Sequence, residues 1–188
     1  MELSPLQEKI IEAFVKITKD KPADEVTVTR ICSEAGISRT TFYTQFENLD
    51  ALVELIQYGT IHDLRQILRD VEYVDLAMVK KSGEPIPMLT RAYKYMKDHW
   101  DTLQWLDGPN GSGWFEISYR EQTRDFFARI TKGRFEEPTA SAVQSLCYGL
   151  TERLTLDWIA GDFEATADEM GAYSTRAIFA VFDEFGGW

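Results

Sequence analysis

The sequence predicts an all-α protein that begins with a three-helix domain containing a helix-turn-helix and continues as a larger helical domain. Apolar residues recur at the i, i+3, i+4 spacing of helices through most of the 188 residues. Runs of β-branched residues in strict alternation, which would predict strands, are missing. The 6 prolines and 12 glycines are scattered, so they divide the chain into helical segments without a low-complexity stretch.

The starts of the predicted helices carry residues that cap helices. Ser4, Thr27 and Asn48 each precede a segment with a helical apolar pattern, and their side-chain oxygens can accept from free backbone N–H groups. Segment 80–87 holds two prolines and a glycine, which predict a break. In chain order, the predicted helices cover about 4–19, the two segments on either side of 35–38, and then 49–74, 88–106, 114–131, 139–160 and 164–185.

The composition predicts a cytoplasmic globular protein with no membrane partner. No apolar run approaches the roughly 18 residues of a membrane-spanning helix, and the N-terminus does not resemble a signal peptide. The 2 cysteines fit a reducing compartment and no disulfide framework. With 20 Lys and Arg against 31 Asp and Glu, the net charge is −11, which disfavours non-specific binding to nucleic acid but does not exclude a specific contact.

Residues 28–46 have the pattern of a helix-turn-helix. The apolar residues that are placed to form a small core between its helices are Ile31, Ala35, Ile37 and Phe42. Gly36 falls where the turn needs a permissive backbone, and Ser38 can cap the second helix. The exposed side chains of that helix, which suit phosphate oxygens and base edges, are then Arg39, Thr40, Thr41, Tyr43, Thr44 and Gln45. The alternative for such a pattern is an ordinary helical hairpin in a larger bundle.

From Ile10 to Leu55 the sequence resembles the DNA-binding domain of the tetracycline-repressor (TetR/AcrR) family of transcription factors. The resemblance is carried by the first amphipathic helix with Ala13 and Phe14, by the stretch TVTRICSEAGIS, and by the FY pair that follows. More weakly, the stretches YGLTERLTLDWIAGDFEATADEM and LDGPNGSGWF are similar to the dihydroxyacetone-kinase regulators within that family.

The resemblance implies a homodimer with a helix-turn-helix DNA-binding domain at 1–48 and a helical effector-binding and dimerisation domain at 49–188. By position, Arg39, Thr40 and Thr44 would face bases. The residues that would hold phosphates are Thr27, Ser38, Thr41, Tyr43 and Gln45, and Arg30 adds a positive charge to the same group. Leu49 stands where family members commonly have a lysine, which removes a phosphate contact.

The predicted DNA-binding domain is not basic. Residues 1–50 carry six basic and nine acidic side chains, a net charge of −3, whereas residues 26–46 carry a net charge of +1. We therefore expect DNA binding to rest on neutral hydrogen bonds, helix N-termini and few ion pairs. Its dependence on salt concentration should be shallow.

Aromatic residues are concentrated in the middle of the chain, where ten of the 24 lie between Tyr93 and Phe135. They either pack a helical core or line an apolar cavity for a small-molecule effector. The residues assigned to such a cavity are Tyr58, His62, Met88, Tyr93, Met96, Trp100, Trp105, Trp114, Phe115, Tyr119, Phe127 and Tyr148. Two histidines without a cysteine cluster do not predict a metal site, and no cofactor is predicted.

The last two predicted helices are apolar on more than one face, so they must be covered on more than one side. They form either the centre of the core or an interface between two copies of the chain. The residues assigned to that interface are Val143, Leu150, Leu154, Trp158, Tyr173, Ala177, Ile178, Val181 and Phe182.

The sequence thus predicts a ligand-responsive homodimeric repressor whose partners are an operator in double-stranded DNA, a small-molecule effector and a second copy of the chain. The alternative within the family is a co-activator, or a regulator that acts through protein partners with weak or absent DNA binding. An enzyme is not predicted, because no constellation of Ser, His, Asp or Cys has the pattern of a catalytic site.

Overall fold

The computed structural model describes residues 3–20, 26–107, 113–161 and 164–188, and it confirms the predicted all-α fold. No strand occurs among these residues. The α-helices, in chain order, are α1 (Pro5–Asp20), α2 (Val28–Ala35), α3 (Arg39–Tyr43), α4 (Leu49–Arg69), α5 (Leu76–Ser82), α6 (Pro87–Asp98), α7 (Trp100–Asp107), α8 (Gly113–Thr131), α9 (Thr139–Ala160) and α10 (Ala167–Glu184). Within the described part of the chain, none of them combines the length and the hydropathy needed to cross a membrane.

The predicted N-caps are confirmed at the starts of α1, α2 and α4. In each case the backbone N–H three residues further on donates to the side-chain oxygen, at 3.2 Å for Ser4, 3.3 Å for Thr27 and 2.8 Å for Asn48. Each side chain therefore satisfies a backbone donor that lacks a partner within its own helix.

The ends of several helices differ from the prediction. Helix α4 ends at Arg69 instead of reaching Val74, and a 3₁₀ turn follows at Asp70–Tyr73. The predicted break at 80–87 begins later, because α5 runs to Ser82, where Gly83 ends it in the left-handed conformation at φ 75°. The single helix predicted at 88–106 is two helices, α6 and α7. Helix α10 starts at Ala167, because Thr166 and Glu169 form a capping box there.

The described chain forms two compact units, of which the first holds the residues up to His62 and those from His99 to Ser118. Its fully buried core includes Ile10 and Phe14 of α1 and Phe42 of α3. The Trp105 ring lies edge-to-face against the Phe14 ring, with 4.8 Å between centroids. Helix α1 thus packs against both α2 and α7.

The second unit holds residues from Asp63 to Asp98 and from Tyr119 onwards. Helix α10 is at its centre and packs against α6 and α9. Its core cluster consists of Val71, Leu76, Ile86, Met88, Leu89, Phe126, Phe127, Ile130, Val143, Cys147, Ile178, Phe179 and Phe182. Burial raises the pKa of the Cys147 thiol to about 12, so this cysteine is a protonated core residue at neutral pH.

Helices α6 and α10 approach each other closely at Gly171 of α10. A Cβ atom added there would lie 2.2 Å from Thr90 Oγ1 and 3.0 Å from Thr90 Cα. The two backbones can therefore take up this separation only because Gly171 has no side chain.

Candidate nucleic-acid interface

Helices α2 and α3 form the predicted helix-turn-helix. Gly36 ends α2 in the left-handed conformation at φ 61°, and its N–H is directed to the carbonyls of Cys32 and Ser33. The Ile37 N–H donates to the Cys32 carbonyl at 2.9 Å, which closes the turn. A residue other than glycine would be strained at position 36.

The inner face of the helix-turn-helix is apolar, as predicted. The residues that it buries are Ile31, Cys32, Ala35, Phe42 and Phe46, whereas Ile37 is only half-buried. The Phe42 ring has its centroid 5.6 Å from that of Phe46. Because this face is occupied by core contacts, the orientation of α3 leaves its other side to solvent.

Ser38 caps α3. Its side-chain oxygen accepts from the Thr41 N–H at 3.0 Å and lies 2.8 Å from Thr41 Oγ1. The start of a helix, with its free N–H groups and the positive end of its dipole, suits an anion such as phosphate.

The outer side of α3 carries the residues that were predicted to contact DNA. Arg39, Thr40, Tyr43 and Thr44 are exposed, and the Tyr43 side chain is 46% exposed in spite of its size. Arg39 Nη2 donates to the Tyr43 hydroxyl at 3.4 Å, and this hydrogen bond raises the pKa of the guanidinium. Arg39 Cζ also lies 6.0 Å from the centroid of the Tyr43 ring, so Tyr43 helps to hold the guanidinium on the exposed face.

Thr41 and Gln45, also assigned to phosphate, are half-buried, while Ser38, Thr27 and Arg30 are exposed. Leu49, which stands in place of the family's usual lysine, is the half-buried first residue of α4 and directly follows the capping residue Asn48. This end of α4 therefore presents an amide cap and no positive side chain.

Two contacts of the first unit were not predicted. Lys16 of α1 forms an ion pair with Glu34 of α2, so one of the six basic side chains of residues 1–50 already has a carboxylate partner. Ser4 Oγ, at the start of α1, lies 3.3 Å from Gln45 Oε1, just beyond α3. Both contacts join residues far apart in sequence, and no local pattern signals them.

Cys32 is a packing residue of the helix-turn-helix. It is buried, and its sulfur lies 3.8 Å from the Ser38 carbonyl oxygen. Burial raises the pKa of the thiol, although the nearby Arg39 charge acts in the opposite direction. The side chain is thus a thiol at neutral pH.

The predicted effector residues fall in both units. In the first unit, Tyr58 is exposed and stacked on His62, with 6.3 Å between ring centroids, Trp100 is half-buried, and Trp105 is buried. The side chains of Trp114 and Phe115 lie outside the described part of the structure. Within the described residues, Thr102 Oγ1 and Trp105 Nε1 are buried and have no hydrogen-bond partner.

In the second unit, the predicted effector residues include a group of tyrosines. Tyr93 is buried, and its hydroxyl lies 3.0 Å from Thr155 Oγ1 and 2.7 Å from Ser174 Oγ. Burial raises the pKa of Tyr119, and the neighbouring Tyr93 and Tyr148 raise it further. The remaining members of the predicted group in this unit, all buried, are Met88, Met96 and Phe127.

The Tyr148 hydroxyl donates to Glu152 Oε1 at 2.7 Å, and Arg124 lies 5.8 Å from the centroid of its ring. Burial raises the pKa of Tyr148, and its hydrogen bond to Glu152 adds to the effect. Whether these tyrosines and the aromatic residues of the first unit line one cavity stays a prediction.

The residues predicted at a dimer interface differ in their exposure. Val143, Trp158, Ile178 and Phe182 are buried within the second unit itself. Leu150 and Tyr173 are exposed, and the half-buried members are Leu154, Ala177 and Val181. A second copy of the chain could therefore contact Leu150 and Tyr173 fully, but not the four core residues.

Among the described residues, no group of three or more His, Cys, Asp or Glu side chains could hold a metal ion.

The first comparison with known proteins matches residues 10–56 to the family described as bacterial regulatory proteins, tetR family. A solved structure titled "Dihydroxyacetone kinase operon activator DhaS" is similar over 97% of this chain and 97% of that chain, with a TM-score of 0.66 and 15% sequence identity. At that identity the likeness is one of fold. No curated protein sequence matches the chain.

The matched family segment coincides with the stretch that carries the resemblance in the sequence, and it spans α2, the turn and α3. The fold of the full chain, including the helical remainder, is shared with a solved regulator. These findings confirm the family predicted from the sequence. Residues 10–56, which include the helix-turn-helix, thus match the tetR family of bacterial regulatory proteins, and the chain shares its fold with the solved structure.

Proposed function

We propose that this regulator is a homodimeric, ligand-responsive repressor that acts on operator DNA in the cytoplasm. The observation that carries the proposal is the outer side of α3. It begins at a helix N-terminus capped by Ser38 and presents the Arg39–Tyr43 pair and the Thr40 and Thr44 hydroxyls to solvent. Guanidinium, hydroxyl and helix N-terminus are the groups that proteins use on phosphates and major-groove base edges.

In the proposed mechanism, two copies of α3 enter successive major grooves, which lie about 34–36 Å apart on one side of the duplex. An effector that binds better to a dimer with a different separation of the two α3 helices lowers the affinity for the operator. We assign the coupling between effector binding and operator binding to α4. The residues of this helix up to His62 belong to the first unit, and the rest belong to the second.

The proposed dimer contact is the outer face of α9 together with the adjoining face of α10. On α9, Leu146, Leu150 and Leu156 are between 43% and 54% exposed. Tyr173 on α10 is exposed as well, and the two helices pack against each other. Exposed apolar side chains on neighbouring helices are the usual composition of an interface between identical subunits.

Support for an effector comes from buried polar atoms. Within the described part of the first unit, Thr102 Oγ1 and Trp105 Nε1 are buried without a hydrogen-bond partner. A buried donor without an acceptor is costly, at about 1–3 kcal/mol, so such groups call for an explanation. A ligand that carries hydrogen-bond acceptors would satisfy them.

The alternative is a regulator that activates, or that acts through protein partners and binds DNA weakly. Its support is the net charge of −3 on residues 1–50 and the loss of a positive side chain at Leu49. The solved structure with a similar fold is titled an operon activator, and this title describes that protein.

The test is an electrophoretic mobility shift with the DNA upstream of the chain's own gene, using the wild type, Arg39→Ala and Tyr43→Ala. We expect Arg39→Ala to lose about 1–3 kcal/mol of binding free energy per recognition helix and Tyr43→Ala about 1 kcal/mol. Lys9→Ala and Tyr73→Ala, which remove the same kinds of side chain from other exposed positions, are the matched controls. Unchanged affinity in both α3 variants would reject the interface, and the absence of any shift by a dimeric wild type would favour the alternative.

A further inference from the structure

Ser4 directly precedes α1, and its side chain contacts Gln45, which lies just beyond the end of α3. Its side-chain oxygen accepts from the Gln7 N–H at 3.2 Å, and its own N–H donates to Gln7 Oε1 at 3.0 Å, so the two residues form a reciprocal cap. The hydroxyl hydrogen of Ser4 is not needed for that cap. It is directed to Gln45 Oε1, which lies 3.3 Å away.

The orientation of the Gln45 amide follows from its other neighbour, Thr44. The Thr44 hydroxyl donates to the Thr41 carbonyl at 2.7 Å, which uses its single hydrogen. Thr44 Oγ1 can therefore only accept from Gln45, whose Nε2 lies 3.3 Å away. The amide nitrogen of Gln45 thus faces Thr44, and the amide oxygen faces Ser4.

The two contacts leave one hydrogen on Gln45 Nε2 for a ligand, since the amide carries two. Among the described residues no acceptor is recorded for this second hydrogen. In the opposite orientation the amide oxygen would take the place of Nε2 beside Thr44 Oγ1, so two acceptors would face each other and no N–H group would be left on that side for a phosphate. The Ser4 hydroxyl is the donor that holds the amide in the productive orientation.

We propose that Ser4 is a positioning residue for DNA binding, which fixes the Gln45 amide with its N–H group towards the phosphate backbone. The inference rests on the proposed function, because it requires that Gln45 contacts DNA. Ser4 itself need not touch the DNA. Its role depends on the direction of one hydrogen bond, which joins two residues 41 positions apart in the sequence.

The test replaces Ser4 by two side chains of nearly equal size that differ in their donors. Ser4→Asn keeps an acceptor for the Gln7 N–H and supplies an amide donor to Gln45, whereas Ser4→Asp keeps the acceptor but, when ionised, has no donor. Both are good helix caps, so their thermal unfolding midpoints should agree with each other. The same two variants are made in a Gln45→Ala background, in which the amide is absent.

Affinity for the DNA upstream of the chain's own gene is then measured by fluorescence anisotropy for the wild type and the five variants. We expect Ser4→Asn to bind like the wild type and Ser4→Asp to bind roughly 2- to 10-fold more weakly per recognition helix, the value of one neutral hydrogen bond. In the Gln45→Ala background, Ser4→Asp and Ser4→Asn should bind alike.

Two results would overturn the inference while leaving the proposed function intact. The first is equal DNA affinity of Ser4→Asp and Ser4→Asn in the presence of Gln45. The second is an equal loss for Ser4→Asp with and without Gln45, which would identify simple repulsion between the new carboxylate and DNA. A wild type that binds no DNA would reject the proposed function, and the inference with it.

Discussion

The hydroxyl of Tyr93 joins two other buried hydroxyls in the second unit, and their single hydrogens fix the direction of each bond. Thr155 Oγ1 donates to the Thr151 carbonyl at 2.8 Å, so it accepts from Tyr93. Ser174, which is 0% exposed, must then donate to the Tyr93 oxygen at 2.7 Å. Tyr93 is therefore the only described acceptor recorded for the Ser174 side chain.

At this scale we expect Tyr93→Phe to lower the free energy of unfolding by about 1–3 kcal/mol, because it leaves the buried Ser174 hydroxyl without that acceptor. Tyr95→Phe is the matched control. The Tyr95 hydroxyl donates to Asp63 at 3.4 Å in an exposed position, and its loss should cost less than about 0.5 kcal/mol.

Urea denaturation of both variants measures the difference in unfolding free energy. Adding Ser174→Ala to Tyr93→Phe should recover part of the loss, because it removes the unsatisfied hydroxyl. Equal stability of Tyr93→Phe and Tyr95→Phe would contradict this account of the hydroxyl group.

At the scale of elements, α9 is divided into a core face and an outer face. Val143, Cys147 and Trp158 are buried on the core side. The outer face carries leucines at 146, 150 and 156, and the small residues Ala142, Ser145 and Gly149 are exposed near the first two of them. A Cβ atom at Gly149 would meet no atom within 4 Å, so a facing backbone could come close at this position.

We expect Leu150→Glu to convert a dimer into a monomer, because a carboxylate in an apolar interface loses its hydration without gaining a partner. Sedimentation velocity measures the change in mass. The matched control is Met78→Glu on α5, where the side chain is 69% exposed and lies outside the proposed interface.

The control should sediment like the wild type. Leu150→Glu should also bind operator DNA more weakly, since two recognition helices no longer act together. A wild type that is monomeric, or a Leu150→Glu variant that stays dimeric, would show that the outer face of α9 is not the interface.

At the scale of the whole molecule, the net charge of −11 opposes association with DNA. The basic side chains in the proposed contact set are Arg30 and Arg39, two in each copy of the chain. Lys16 already pairs with Glu34. Specific binding must therefore draw on neutral hydrogen bonds more than on released counterions.

The resulting prediction is a shallow salt dependence of operator binding. Each phosphate neutralised contributes about −0.9 to the slope of log K against log salt concentration, so a dimer that uses two arginines per copy should give a slope no steeper than about −4. Fluorescence anisotropy over a series of KCl concentrations measures it. A slope near −10 would contradict the charge argument even if the interface itself were correct.

Local chemistry explains what could be predicted from the sequence. Ser4, Thr27 and Asn48 cap helices by contacts that span three residues, so a short stretch is sufficient to recognise them. The helix-turn-helix is likewise specified by a few adjacent residues around Gly36 and Ser38. Such features depend on backbone geometry more than on the rest of the fold.

The features that could not be predicted from the sequence depend on contacts between residues that are far apart in the chain. The hydrogen bond from Ser4 to Gln45 and the ion pair between Lys16 and Glu34 exist only once α1 has packed against α2. The same holds for the division of the predicted interface residues. Val143 and Ile178 have the same apolar pattern whether they face the core or a partner, and only the folded chain shows that they are in the core.

The contact between Gly171 and Thr90 has a mechanical consequence. At this contact only the short Thr90 side chain, which has a single χ angle, lies between the two backbones, so few rotamer changes could absorb a displacement. Helix α6 carries Tyr93 and Met96 of the predicted effector residues. A displacement of α6 must therefore displace α10 as well. Since α10 carries Tyr173, strain produced by the proposed effector would reach the proposed dimer surface across the width of a single helix.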